Sequence, residues 1–151
     1  MIYITGSLNM DLCIETPYMP KEGETITGKN FISNGGGKGA NQATAAAVLG
    51  GNVKMCGVVG NDSFGEILVD NLRKAGVTTD CIRKQKGVST GIAVIVLTGG
   101  NNRIILDKGA NATLTEKDID EFLKDAKEGD VYLTQLENPI SVIGYGLKKA
   151  K

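Results

Sequence analysis

Apolar residues in this chain form short runs that alternate with segments of helical period, as expected for a sheet with helices packed against it. Residues 2–5, 53–59 and 130–136 form β-branched or largely apolar runs. Such runs are typical of parallel strands that are covered on both faces. Residues 39–49 and 64–75 place their apolar side chains on one face of a helix. The pattern predicts an α/β fold with a doubly wound, Rossmann-like sheet.

Capping residues locate the starts of further helices. Residues 63–66 and 115–118 have the spacing of a capping box, and apolar residues at helical period follow 115 as far as Ala126. Asn138-Pro139 has the composition of an N-cap and first turn, so a last helix is predicted after it. The end of the strand at 130–136 therefore leads directly into a helix through Glu137.

A β-rich middle segment interrupts the alternation of strands and helices. Residues 90–98 are mostly β-branched, 99–102 have the composition of a turn, and 103–106 return to apolar residues. This pattern predicts a hairpin. Extended segments around Leu12 and at 24–33 can join the same sheet. We therefore expect a small second sheet, from about residues 12–33 and 90–107, that acts as a lid over a ligand.

The segment 34–43, Asn-Gly-Gly-Gly-Lys-Gly-Ala-Asn-Gln-Ala, has four glycines in five positions directly before a helix. A glycine-rich turn that opens a helix directs several N–H groups and the positive end of the helix dipole at one place. A tight turn whose alanines pack on a sheet would have a similar composition. Lys38 and Asn41 within the segment favour a binding site.

Asn9 and Asp11 form a second candidate for ligand contact. They alternate with apolar neighbours, so an extended backbone places both on one face just past the end of the first strand. Open α/β sheets bind ligands beyond the carboxyl ends of their strands. The alternative is that both side chains simply face solvent.

Composition narrows the function. The 151 residues, of which 41% are apolar, are enough for one domain with a core, and 17 basic residues match 17 acidic ones, so no nucleic-acid partner is expected. The absence of His excludes a His-dependent triad or zinc site. Three cysteines without metal spacing are typical of reduced thiols. No apolar run is long enough to cross a membrane, and we expect a cytoplasmic protein.

Two familiar phosphate-binding loops fit the glycine-rich segment poorly. A P-loop is excluded because Ile32 and Gly39 stand where that motif needs Gly and Ser or Thr. The dinucleotide fingerprint fits loosely, with Gly35, Gly37 and Ala40 followed by Asp62. That fingerprint belongs in the first strand-to-helix turn, whereas here a Thr-rich extended segment comes before it. A dinucleotide-binding domain is therefore the less favoured alternative.

Several short strings together resemble the ribokinase (PfkB) family of sugar kinases. They lie at 6–11, 23–25, 36–43, 89–91, 109–112 and 135–137. The string Gly-Gly-Lys-Gly-Ala-Asn-Gln-Ala is the most discriminating, and it is more similar to the ribokinase branch than to the fructokinase or adenosine kinase branches. The resemblance extends over essentially the whole chain.

The resemblance implies transfer of the γ-phosphoryl group of ATP to the 5-hydroxyl of D-ribose. It also implies Mg²⁺ and a monovalent cation such as K⁺ as cofactors, and a homodimer that forms through the lid sheet. The positions that match the family's sugar contacts are Asn9, Asp11, Gly37, Lys38, Gly39, Ala40, Asn41 and Glu137. Their chemistry agrees, because carboxylate and amide groups suit a ligand with several hydroxyls. A role in helix entry is the alternative for Glu137.

The chain departs from the family in one respect. Family members are longer and carry an Asp-Thr-x-Gly-Ala-Gly-Asp motif in the ATP-binding half, whose last Asp takes the proton from the sugar hydroxyl. No such string is present here, and residues 107–111 have Asn111 where an acid would be needed. We therefore expect a sugar-binding half that is inactive alone, with no catalytic residue of its own.

This departure also has consequences for assembly. We expect exposed apolar surface near the C-terminus, with self-association or partial disorder there. A separate C-terminal half could complete the enzyme in trans. The alternative is a non-catalytic sugar-binding or assembly module that works only with such a partner.

Overall fold

The computed structural model describes residues 1–151 and contains two four-stranded sheets. The strands are β1 (Ile2–Thr5), β2 (Asn9–Glu15), β3 (Lys29–Gly36), β4 (Val53–Gly60), β5 (Thr78–Gln85), β6 (Gly91–Thr98), β7 (Asn101–Asp107) and β8 (Val131–Thr134). The helices are α1 (Lys38–Val48), α2 (Ser63–Lys74), α3 (Glu116–Phe122) and α4 (Ile140–Lys149), and a short 3₁₀ helix spans Gly109–Thr113.

The larger sheet is parallel throughout and has the order β5-β4-β1-β8. From β1 the chain builds outward to β4 and β5 on one side, and it later returns to place β8 on the other side. β1 is therefore the point at which the strand order reverses. The predicted doubly wound α/β sheet is confirmed.

Helices cover both faces of this sheet and form two apolar clusters. On one face, Ile4 and Met55 pack with Ala43 of α1 and Leu68 of α2. On the other face, Tyr3, Cys56 and Val58 pack with Ile119 and Phe122 of α3. The rings of Tyr3 and Phe122 meet edge to face with centroids 5.3 Å apart. Burial on both faces explains why β1 and β4 are continuous apolar runs.

The smaller sheet has the order β3-β2-β6-β7. β2 runs antiparallel to β3 and parallel to β6, and β6 and β7 form a hairpin whose last pair, Thr98 and Asn101, encloses a two-residue turn. The predicted hairpin and second sheet are present. However, β3 begins at Lys29 and continues to Gly36, so residues 24–28 lie outside it. Gly35 and Gly36 are therefore paired strand residues and do not belong to the turn.

Other local predictions differ from the structure. The N-cap of α2 is Asp62, one residue before the predicted Ser63, because the Asp62 carboxylate accepts a hydrogen bond of 2.9 Å from the Gly65 amide. Asn138 is not a cap. Pro139 occupies the N-cap position of α4, and the Asn138 amide instead donates to the Asn111 carbonyl at 3.1 Å.

Two further differences concern the extent of elements. The capping box of Thr115 and Asp118 is confirmed, but α3 ends at Phe122 and does not reach Ala126. β5 was not predicted. It is an edge strand whose sequence, Thr-Thr-Asp-Cys-Ile-Arg-Lys-Gln, has few apolar residues, so it lacks the hydrophobic signal of a central strand.

The N-terminus of α1 lies directly against the turn that follows β1. A Cβ at Gly39 would be 2.6 Å from backbone atoms of Gly6 and Ser7. Backbone atoms cannot move aside cheaply, so we expect Gly39→Ala to lower the free energy of unfolding by about 1–3 kcal/mol. Urea denaturation followed by circular dichroism measures this change.

Gly144→Ala is the matched control, because Gly144 lies within α4 and nothing surrounds the position of an added Cβ. It is expected to raise the free energy of unfolding by roughly 0.5–1 kcal/mol, since Ala favours a helix more than Gly. Equal effects of the two substitutions would contradict the close approach of α1 to β1.

Candidate functional site

The candidate site lies at the carboxyl end of β1. Three segments meet there: the turn after β1, the N-terminus of α1 and the segment that follows β8. Open α/β sheets bind ligands where the strand order reverses, and in this sheet that point is β1. The topology therefore indicates this end of the sheet before any side chain is considered.

A cavity of about 300 Å³ opens at this place. Its polar lining comes from β2, from the start of α1 and from the segment after β8, whereas its apolar lining comes from β6 and β7 of the small sheet. The lining residues are Asn9, Asp11, Gly37, Lys38, Asn41, Ala93, Ile95, Ile104, Leu106 and Glu137. The structure thus brings together all the predicted site residues except Gly39 and Ala40.

Glu137 is the most constrained side chain of the cavity. Its Oε2 accepts hydrogen bonds from the Ser7 hydroxyl at 2.6 Å and from the Lys38 backbone N–H at 3.3 Å. Its Oε1 forms an ion pair with the Lys38 ammonium group. Burial raises the pKa of Glu137, but the hydrogen bonds from Lys38 and Ser7 outweigh burial and lower that pKa below its ordinary value. Glu137 is therefore a stable anion at the N-terminus of α1.

Asp11 has the opposite electrostatic environment. Burial raises its pKa above the ordinary value, and the nearby charge of Glu137 raises it further. No hydrogen bond to the Asp11 carboxylate opposes this shift. The cavity therefore contains one carboxylate that the protein has already paired and one whose oxygens are available to a ligand.

Gly37 shapes the wall between these groups. It precedes α1 with a φ of 92°, and a Cβ there would be 2.7 Å from the Ser7 carbonyl oxygen. Only glycine fits both the conformation and the space. Its presence lets the first turn of α1, with Lys38 and Asn41, come close to β2.

Gly39 and Ala40 lie behind the cavity wall. Both are buried, and their N–H groups are directed at Ser7: the Ala40 amide donates to the Ser7 carbonyl at 3.0 Å and the Gly39 amide to the Ser7 hydroxyl at 3.4 Å. Gly39 and Ala40 thus fix the position of Ser7, whose hydroxyl donates to the carboxylate of Glu137. Both residues have this packing role in the structure, and their contact with substrate stays a prediction.

Sequence reasoning missed the apolar wall and Ser7. Ala93, Ile95, Ile104 and Leu106 alternate along β6 and β7, so they share one face of the hairpin. That alternation is visible in the sequence, but it does not reveal which face covers a cavity. Nothing in the sequence distinguishes Ser7 from an ordinary turn residue, because its partner Glu137 is 130 positions away.

Other kinds of site fit the structure less well. Asp62, the acid of the loose dinucleotide fingerprint, is occupied as a helix cap and accepts a hydrogen bond of 2.7 Å from the Thr90 amide. The structure has no cluster of three or more His, Cys, Asp or Glu side chains that could hold a metal ion. None of its helices has the length and apolar character needed to cross a bilayer.

A larger cavity of about 690 Å³ lies at the far end of the small sheet, where its lining includes Glu15, Leu97 and Gly100. Its carboxylate, Glu15, already accepts a hydrogen bond of 2.9 Å from Asn30. That cavity also lies away from the carboxyl end of β1. The smaller cavity is therefore the better candidate for a functional site.

Known proteins with similar sequences are sugar kinases. The chain is 42% identical to the ribokinase of Bacillus subtilis over 138 residues, which cover 91% of this chain and 47% of that protein. It is 38% identical to a deoxyribokinase of Salmonella typhi over 151 residues, which cover 99% of this chain and 49% of that protein. The chain thus spans about half the length of the curated relatives it matches.

Solved structures agree with the sequence comparison. Arabidopsis thaliana ribokinase in complex with ribose and ATP superposes with a TM-score of 0.88 at 34% identity, covering 99% of this chain and 49% of that one. The family described as pfkB family carbohydrate kinase matches residues 1–136. This match includes all eight strands and every residue that lines the candidate cavity except Glu137. The chain belongs to the pfkB family of carbohydrate kinases.

Proposed function

We propose that this chain supplies the sugar-binding half of an ATP-dependent kinase that phosphorylates the 5-hydroxyl of D-ribose. The observation that carries the proposal is the cavity at the carboxyl end of β1, in which the available carboxylate of Asp11 lies beside the amide of Asn9 and the paired groups Lys38 and Glu137. The sequence likeness to ribokinases supports the choice of sugar.

The geometry suits a small polyol. The volume of about 300 Å³ lies at the lower end of the range for small-molecule sites. Each sugar hydroxyl both donates and accepts, so Asp11 can accept from one hydroxyl while amide groups of Asn9 or Asn41 meet others. The apolar side chains of Ile104 and Leu106 then face the carbon skeleton and restrict water. The small sheet would act as the predicted lid.

The chemistry of transfer requires more groups than the cavity supplies. Phosphoryl transfer depends on a bound nucleotide, Mg²⁺ and a group that accepts the hydroxyl proton. The cavity carboxylates do not fit a metal site, because Glu137 is paired with Lys38 and no third ligand is close enough to complete a cluster. We propose that the groups that bind ATP, Mg²⁺ and a monovalent cation, and the base, belong to additional polypeptide.

An exposed apolar edge supports this division. β8 is the outer strand of the large sheet on the side next to the cavity, and Val131, Leu136 and Ile140 around it are 55%, 76% and 64% exposed. An open strand edge with apolar neighbours favours association. We propose that the polypeptide with the nucleotide site packs here, either in the same chain or as a separate partner. In the second case, this chain would be a sugar-binding module that works only in the complex.

The small sheet has an apolar surface of its own. Phe31 and Ile105 are 63% and 69% exposed on it. We propose, in line with the family resemblance, that two copies pair through this sheet into a homodimer. The free cysteines suit a reducing compartment, so we place the protein in the cytoplasm.

The first prediction concerns sugar binding. We expect the chain to bind D-ribose, measured by isothermal titration calorimetry, and Asp11→Asn to weaken binding roughly 10- to 100-fold, since hydrogen bonds to a charged group are stronger than neutral ones. The ionised carboxylate of Asp11 is a stronger hydrogen-bond acceptor than the protonated form. Because its pKa is raised, affinity should fall on acidification at a higher pH than an ordinary Asp would give, while Glu137 stays charged.

Two comparisons make this prediction specific. Asp70→Asn is the control, because Asp70 lies exposed on α2 with only Lys74 as its partner; it should bind ribose as the unsubstituted chain does. Asp11→Asn should also lose the pH dependence. An unchanged affinity in Asp11→Asn, or tighter binding of fructose or 2-deoxyribose than of ribose, would contradict the proposal as stated.

The second prediction concerns activity. Incubated with labelled ATP, Mg²⁺, K⁺ and ribose, fructose or adenosine, the chain alone should transfer no phosphoryl group above the background rate, because we place the nucleotide site and the base in additional polypeptide. Addition of the C-terminal half of a ribokinase tests completion in trans. Transfer to ribose by the chain alone would show that these residues contain a base and a nucleotide site after all.

A further inference from the structure

Asn111 is a buried amide that lies next to the cavity without lining it. It belongs to the short 3₁₀ helix after β7, and only 1% of its surface is exposed. Its Oδ1 accepts a hydrogen bond of 2.9 Å from the Leu8 backbone N–H. Its Nδ2 donates to the Leu8 carbonyl at 3.0 Å and to Asn9 Oδ1 at 2.8 Å.

These contacts determine which way both amides point. A backbone N–H can only donate, so the oxygen of Asn111 must face the Leu8 amide. The Asn111 nitrogen then has to face the Leu8 carbonyl and Asn9. Two NH₂ groups cannot bond each other, so Asn9 must turn its oxygen to Asn111 and keep its nitrogen for the cavity that it lines.

The neighbouring residues support this arrangement. A Cβ at Gly91 would be 2.3 Å from both Asn111 Nδ2 and Asn9 Oδ1, so any side chain at that position of β6 would lie on the hydrogen bond between them. The side-chain amide of Asn138 donates to the backbone carbonyl of Asn111 at 3.1 Å. Asn138 thus holds the backbone of Asn111, while Leu8 and Asn9 hold its side-chain amide.

We infer that Asn111 is a positioning residue that fixes Asn9 as a hydrogen-bond donor into the cavity. Asp11, two residues further along the same face of β2, is an acceptor. Asn9 therefore requires a ligand atom that accepts a hydrogen bond, and Asp11 requires a ligand group that donates one. The hydroxyl groups of a polyol can do both. An ammonium group cannot satisfy position 9. The identity of the ligand as a sugar rests on the proposed function, whereas the orientation of Asn9 does not.

Side-chain amide NMR of the sugar-free chain tests the orientation directly. In ¹H–¹⁵N spectra, the NH₂ protons of Asn111 should be protected from exchange with water, and those of Asn9 should exchange. In Asn111→Asp, the position has lost its NH₂ group, so the Asn9 nitrogen should turn to the new carboxylate and become protected. Two results would overturn the inference: protection of the Asn9 NH₂ protons in the unsubstituted chain, or exchange of these protons that does not change in Asn111→Asp.

Ribose affinity gives a second readout. Asn111→Asp should weaken binding roughly 10- to 100-fold, because Asn9 would then present an acceptor in place of a donor. Asn101→Asp is the matched control: it makes the same change at an exposed position of β7, where the side chain donates a hydrogen bond to the Gly99 carbonyl, and it should leave affinity unchanged. Equal affinities in the two variants would contradict the inference.

A second variant is available if Asn111→Asp fails to fold. Gly91→Ala keeps the chemistry of both amides, but its Cβ would lie 2.3 Å from Asn111 Nδ2 and from Asn9 Oδ1, so it displaces the contact between them. It should change the exchange of the Asn9 NH₂ protons and weaken ribose binding, and unchanged exchange would again count against Asn111. If the unsubstituted chain binds no ribose while the exchange pattern is as expected, the proposed function fails and the inference about Asn9 stands.

Discussion

The carboxylate of Glu137 joins the three segments from which the cavity is built. Ser7 follows β1, Lys38 opens α1, and Glu137 itself follows β8, and each of the first two donates to it. The N-terminus of a helix is a favourable place for an anion, and the surrounding hydrogen bonds keep this one ionised. A hydrogen bond of 2.7 Å from Gln135 to Gln42 of α1 adds a second polar contact between this helix and the segment after β8. The close approach of Gly39 to the backbone of Gly6 then completes the wall.

This arrangement leaves the two cavity carboxylates with different tasks. Glu137 is already paired within the protein. Burial, and then the charge of Glu137, raise the pKa of Asp11, whose carboxylate accepts no hydrogen bond from the protein. An acceptor that lacks a partner in the protein gains one when a hydroxyl ligand binds, so part of the cost of its burial is offset at that moment. The same logic explains why Asn9 matters: its oxygen is already bonded to Asn111, and only its nitrogen is available.

Much of the fold was predictable from local pattern. Burial on both faces made β1 and β4 continuous apolar runs, and glycines marked both the start of α1 and the turn between β6 and β7. β5 was missed because an edge strand needs few apolar residues, and Gly35 and Gly36 were assigned to a turn because pairing with β2 leaves no local signal. Asn9, Asp11, Lys38 and Asn41 were recognisable as candidates for ligand contact, and the structure places all four in one cavity. Asn111 was not, because its partner Leu8 is 103 positions away in the sequence.

The location of bound ribose tests the account most directly. Backbone amide shifts in ¹H–¹⁵N spectra, followed as ribose is added, report which cavity it enters. The account predicts concentration-dependent shifts at Asn9, Asp11, Lys38 and Asn41, and none at Leu97 or Gly100, which line the larger cavity at the far end of the small sheet. Shifts confined to the larger cavity would contradict the assignment of the sugar to the carboxyl end of β1.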